Sequence, residues 1–150
     1  MSRSPIGIAV IINNKNFKRM SKRSGTDIDR DDLHKLFSNL KFDVKVYDDQ
    51  TKDQIFEIVR NKGKSNHSRY DAFIFAILTH GDEGLVYGID GGTLSITEIT
   101  SKFKNNQTLA GKPKIFFFQA CQGEKKDTFF WPHFISSIKF FLSPFNLLSL

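Results

Sequence analysis

Three uninterrupted apolar runs constrain this chain most: Gly7-Ile-Ala-Val-Ile-Ile12, Asp71-Ala-Phe-Ile-Phe-Ala-Ile-Leu78 and Lys114-Ile-Phe-Phe-Phe118. Each is short and rich in β-branched or aromatic residues, so each suits a strand. None alternates with polar residues, so both faces of each strand must be covered. The Asn13-Asn14 pair ends the first run, and Pro113 leads into the last.

The intervening segments read as helices. Asp27 to Asp32 supplies carboxylates to a helix N-terminus. Leu33, Leu36, Phe37 and Leu40 follow at the spacing of one helical face. Phe42 to Tyr47 alternates and predicts a further strand. Thr51 with Gln54, and Ser95 with Glu98, are capping-box patterns. Ile55, Ile58 and Val59 mark the face of the second helix, and Ile96, Ile99 and Phe103 that of the third. Between them, Val86-Tyr-Gly and Gly91-Gly92 suggest a small hairpin. Strands alternating with helices predict an α/β fold, a mainly parallel sheet with helices on both faces.

The 150 residues suit one domain, and 39% hydrophobic with 25% charged residues is an ordinary globular balance. The formal charge of +6 comes from scattered Lys and Arg mixed with Asp and Glu. With no long basic run, no zinc-finger spacing and no RNA-binding signature, nucleic acid is not expected as a partner. The single cysteine forms no internal disulfide, and the N-terminus carries no signal-peptide pattern. A cytoplasmic location is expected.

Composition changes after Asp127. Residues 128–150 hold 6 of the 16 Phe and no Asp, Glu or Gly. Pro132, Pro144, Lys139 and several Ser argue against a membrane span there. Clean helix or strand periodicity is missing, so residues 1–127 are expected to form the domain and 128–150 a Phe-rich tail of unknown role.

In open parallel sheets, ligands sit beyond the carboxyl ends of the strands. Arg23-Ser-Gly-Thr26 follows the first strand, Thr79-His-Gly81 ends the third, and Gln119-Ala-Cys-Gln-Gly123 ends the fourth. Arg23, His80 and Cys121 are therefore expected on one rim. A thiolate is a strong nucleophile, and a nearby imidazole can take the thiol proton and return it to a leaving amine. Backbone N–H groups of Gly81 and Cys121 are candidates for an oxyanion hole. Gly81 and Gly123 allow tight turns and close approach to a substrate. Arg23 can hold a carboxylate by its forked guanidinium.

Gln119-Ala-Cys-Gln-Gly123 matches the caspase signature. Ile11 to Phe17, Arg23 to Asp27, Thr79 to Asp82, Tyr87 to Asp90 and Leu109 to Lys114 follow in family order. Over about Gly7 to Asp127 the chain resembles the large subunit of a caspase. The resemblance implies that Cys121 is the nucleophile, that His80 is the acid/base, and that Gly81 and Cys121 supply the oxyanion donors. It implies that Arg23 and Gln119 line the pocket for the substrate aspartate. It further implies cleavage of proteins after Asp in apoptosis or inflammation, with no metal or organic cofactor. The short segment before Ile6 looks more like an executioner type.

The family's small subunit, which adds sheet strands, a second pocket Arg and the dimer interface, is not recognisable here. The caspase-like fold is thus expected to be incomplete, with the fourth strand as a bare sheet edge. The tail either folds over that edge or arises from a truncated or read-through transcript with no structural role, which the abrupt change of composition favours. Two functions stand: a protease active only when a small-subunit partner is supplied, or a non-catalytic decoy binding caspase partners or substrates.

Overall fold

The apolar runs become the inner strands. The computed structural model describes residues 5–121, 138–142 and 146–149, with no side-chain detail for Cys121 or for 138–142 and 146–149. The strands are β1 (Gly7–Asn13), β2 (Phe42–Asp48), β3 (Ala72–Asp82), β4 (Leu85–Tyr87), β5 (Thr93–Ser95), β6 (Lys114–Cys121), β7 (Ile138–Leu142) and β8 (Asn146–Ser149). The helices are α1 (Thr26–Asn39), α2 (Lys52–Lys64) and α3 (Ile96–Lys104), followed by a single 3-10 turn at Gln107–Leu109. The main sheet runs β2-β1-β3-β6-β7-β8, and the antiparallel β4–β5 hairpin hangs from the end of β3. β2, β1, β3 and β6 are mutually parallel.

Both faces of the inner strands are buried, and alternate residues feed two separate cores. Val10, Ile12, Phe73, Phe75, Ile77, Phe116 and Phe118 meet Ile55 and Val59 of α2 and Ile99 and Phe103 of α3. Ala9, Ile11, Ile74, Ala76, Leu78 and Phe117 meet Leu33 and Phe37 of α1. A side-chain period of two within an unbroken apolar run requires this arrangement. The expectation of a mainly parallel sheet with helices on both faces is met.

Local signals set the helix starts. Thr51 and Gln54 form a full capping box on α2, and the Ser95 hydroxyl accepts from the Glu98 N–H at α3. At α1, Gly25 takes the N-cap position with φ 86° and no side-chain cap, while Asp27 and Asp29 face the positive helix end. The expected apolar face of α1 is narrower than its pattern: Leu36 is 50% and Leu40 49% exposed. Only Leu33 and Phe37 reach the sheet, because Leu36 lies on the flank of the contact and Leu40 sits past the helix end as its C-cap.

Three differences from the sequence expectations concern the strands. β3 extends through His80 and Gly81 to Asp82, because its end pairs with β4 at Gly81↔Val86 and Asp82↔Leu85. β6 likewise continues through Gln119 and Ala120 to Cys121, paired with β3 from Phe73↔Lys114 to His80↔Cys121. The expected bare edge on β6 is occupied: β7 pairs antiparallel with it from Phe116↔Phe141 to Gln119↔Ile138, and β8 adds outside β7. A strand with an apolar edge gains by pairing its open N–H and C=O groups, even with a segment whose own periodicity is poor. Gly123, the boundary at Asp127 and the tail residues Phe129, Phe130, Phe134 and Phe145 lie outside the described residues. Among the described residues, no helix is long and apolar enough to cross a membrane.

Candidate active site

The rim at the carboxyl ends of β1, β3 and β6 gathers the expected residues. Parallel pairing of β3 with β6 puts His80 and Cys121 directly opposite each other as backbone partners. Thr79 is opposite Ala120 and Leu78 opposite Gln119, so the signature segment lies alongside Thr79-His80 in register. Strands that look unrelated in sequence thus bring His80 and Cys121 to paired backbone positions of one sheet, which suits groups that must be pre-positioned.

The loop from β1 to α1 supplies the next layer. Arg23, only 9% exposed, donates from Nη1 to the Asn14 carbonyl at 3.1 Å and to Thr26 Oγ1 at 2.9 Å. Its Nη2 donates to Gln119 Oε1 at 3.3 Å, and Gln119 is 5% exposed. The two residues expected to line an acidic-side-chain pocket are therefore in contact, although 96 positions separate them. A guanidinium fork matches the two oxygens of a carboxylate better than a neutral ligand.

His80 is oriented by the same loop. Its Nε2 donates to the Ser21 carbonyl at 2.7 Å. A carbonyl only accepts, so the neutral ring carries its hydrogen on Nε2 and Nδ1 is left as the basic nitrogen. The Phe17 ring packs on the imidazole with centroids 4.5 Å apart and a 54° tilt.

Buried amides tie the loops together beneath this rim. The Asn14 side chain donates to the Gln50 and Tyr87 carbonyls, each at 3.2 Å, and accepts from the Gln50 N–H at 2.8 Å. Asn13 accepts from the Thr26 hydroxyl at 2.7 Å and donates to Asp27 at 2.9 Å. The Asp27 carboxyl lies below the ordinary range chiefly because Lys15 donates to it at 2.7 Å. Asn14 thereby joins the segments that follow β1 and β2 to the end of β4. A pair of amides ending an apolar strand is the signal that points to such a tie. The Ser21 carbonyl has no comparable signal, since a backbone acceptor is indifferent to side-chain identity.

Gly81 has a steric reason to be glycine. A Cβ there would lie 2.3 Å from the Ala120 Cβ and 2.8 Å from the Leu85 carbonyl oxygen. Among the described residues, no group of three or more His, Cys, Asp or Glu is placed to hold a metal ion.

The caspase-domain family model matches residues 6–134. The chain is 43% identical to caspase-3 of Oryctolagus cuniculus over 128 residues, covering 82% of this chain and 46% of that protein. It is 42% identical to caspase-3 of Mesocricetus auratus, covering 81% and 46%, respectively. It is 44% identical to caspase-8 of Mus musculus over 135 residues, covering 82% of this chain and 28% of that protein. The chain thus spans less than half the length of these relatives. A model match over most of the sequence, with the rim built as described, establishes that this chain belongs to the caspase-domain family.

Proposed function

We propose that this chain is the large-subunit portion of a cysteine endopeptidase that cleaves proteins after aspartate. The observation that carries the reading is the register pairing of His80 with Cys121, beside the Arg23–Gln119 contact on the same rim. In this reading the Cys121 thiol gives its proton to His80 Nδ1 as sulfur attacks the scissile carbonyl carbon. The resulting oxyanion accepts from the Gly81 and Cys121 N–H groups. The imidazolium then protonates the departing amine, leaving a thioester that water hydrolyses with His80 as base. Arg23 and Gln119 hold the aspartate side chain before the cleaved bond. The cytoplasm and a role in apoptosis follow from the family resemblance.

Activity is proposed to require a small-subunit partner, as the family resemblance implies, because catalysis depends on groups held in productive geometry. One observation favours the second reading, a non-catalytic decoy: β7 already pairs with the outer edge of β6, where another chain's strand would add.

The test is to produce the chain alone and with a caspase small subunit, then measure cleavage of a peptide with Asp before the scissile bond. Activity with the partner, abolished by Cys121→Ala, is expected. Cleavage in neither preparation overturns the protease reading and leaves the decoy. Cleavage that survives Cys121→Ala overturns the nucleophile.

A further inference from the structure

His80 is held by two groups from one loop, the Ser21 carbonyl and the Phe17 ring, so its geometry depends on what fixes that loop. The loop leaves β1 at Asn13, and its first turn is anchored from a neighbouring strand. Asp49, immediately after β2, accepts at Oδ1 from the Lys15 N–H at 2.9 Å and from the Asn16 N–H at 3.0 Å. Its Oδ2 accepts from the Asn16 side-chain amide at 2.9 Å. Its own N–H donates to the Asn13 carbonyl at 2.9 Å.

Asp49 adopts φ 52°, a left-handed conformation that Asp and Asn tolerate better than most residues. That turn swings the carboxylate back toward the end of β1. Partial burial raises the Asp49 carboxyl, but the N–H groups of Asn16 and Lys15 and the Asn16 amide outweigh it and hold the group below the ordinary range. Phe17 is the next residue along the clamped turn. Asp49 bonds Asn13, Lys15 and Asn16, so its effect on His80 runs through Asn16 and Phe17.

We propose that Asp49 and Phe17 are positioning residues for His80: the Asp49 carboxylate clamps Lys15-Asn16, which seats the Phe17 ring against the imidazole and holds it in line with the Ser21 carbonyl. The proposal rests on the dyad reading for its effect on the thiol, but the seating of the ring is measurable without it. Asp49→Asn isolates the clamp. Asn keeps the left-handed turn and one oxygen for the two backbone N–H groups, but turns an amide donor toward the Asn16 amide donor. Asn16→Asp alone sets two carboxylates face to face. Together, Asn16→Asp/Asp49→Asn exchange donor and acceptor and restore the pairing.

Two readouts on the full chain decide it. Alkylation of Cys121 by iodoacetamide reports the thiolate, without ambiguity because the chain has one Cys. Long-range 1H–15N NMR of the His80 ring reports its tautomer and its hydrogen bond. Each single variant is expected to slow alkylation about ten- to a hundredfold and to shift or broaden the His80 ring signals. The double variant is expected to return both toward wild type. Phe17→Leu, with the Asp49 bonds intact, is expected to change the same His80 signals. Gly63→Ala, at the far end of the sheet, is expected to lower Tm without slowing alkylation, separating positioning from general destabilisation. His80→Ala tests the dyad: alkylation unchanged there overturns that reading, and the NMR then decides the positioning claim. The proposal is overturned if Asp49→Asn or Phe17→Leu leaves the His80 signals at wild-type positions, or if the double variant is no better than the worse single one.

Discussion

Gly81→Ala is the substitution whose outcome the rim geometry decides most sharply. In a strand interior, Ala is ordinarily favoured over Gly by about 0.5–1 kcal/mol, because glycine loses more freedom on folding. At position 81 the new methyl would stand 2.3 Å from the Ala120 Cβ, 2.8 Å from the Leu85 oxygen and 3.3 Å from the Ala120 Cα. Carbon pairs rest at about 3.5–4.0 Å, so the overlap with Ala120 exceeds an ångström. All three obstacles are backbone or Cβ atoms, so no rotamer change relieves them. Overpacking of this kind costs about 1–3 kcal/mol, which outweighs the propensity gain. The net expectation is a loss of about 1–2 kcal/mol, or a Tm lower by about 3–8 °C by circular dichroism. Relief requires β3 and β6 to spread beside the His80↔Cys121 pair, so Cys121 alkylation should slow as well. Ala120→Gly removes the nearest atom but not the Leu85 oxygen. The double variant should therefore recover part of the loss, with a coupling of about 0.5–3 kcal/mol in a double-mutant cycle. A Tm for Gly81→Ala at or above wild type, or a double variant no better than the sum of the two, would refute the steric reasoning.

The remaining predictions concern the far end of the sheet and its outer edge. Gly63→Ala in α2 would normally gain up to about 1 kcal/mol of helix propensity. Its Cβ would lie 2.4 Å from the Lys102 carbonyl oxygen of α3, so calorimetry should show a lower Tm; a higher one means that α2 and α3 can part cheaply. His67 is fully buried, its Nε2 donates to the Lys62 carbonyl at 2.8 Å, and burial first, with the charges of Lys62 and Lys112, pushes its pKa below 6.5. The unfolded chain then takes up the proton first, so this contribution is fully present above pH 6.5 and stability falls as pH drops below it. Urea midpoints on either side of that value should differ less in His67→Phe than in wild type; equal differences refute the assignment. Deleting residues 138–149 removes β7 and β8 and opens the β6 edge. The shortened chain should self-associate in sedimentation velocity, whereas a monomer of undiminished Tm would show that the edge needs no cover.

The inner strands were legible because burial on both faces leaves an unmistakable mark: no polar residue interrupts Ile8 to Ile12 or Ala72 to Leu78. The starts of α2 and α3 were legible because capping chemistry is local, confined to four residues. Strand ends were not. The sequence suggests that β3 stops at Leu78, yet it runs to Asp82 because β4 returns to pair with it. Leu36 and Leu40 look like core residues by spacing, but how much of a helix face is covered depends on the sheet beneath it. β7 is the clearest case of tertiary override: a segment of poor periodicity becomes a strand where an open edge offers it partners.

The site divides along the same line. Side-chain chemistry marked Arg23, His80 and Cys121 as candidates by type and by their place after strands, and the family resemblance added Gln119. Their mutual geometry was another matter. Only the β3–β6 register sets His80 opposite Cys121, and only the fold of the β1–α1 loop brings Arg23 onto Gln119. The Ser21 carbonyl and the Asp49 clamp on Lys15 and Asn16 left no trace in residue pattern. By itself, the sequence determined the chemistry available and the sheet that would carry it, because both depend on residue type and short-range spacing. Tertiary structure alone decided which nitrogen of His80 carries the ring hydrogen, because a backbone oxygen brought across 59 positions of chain accepts from it.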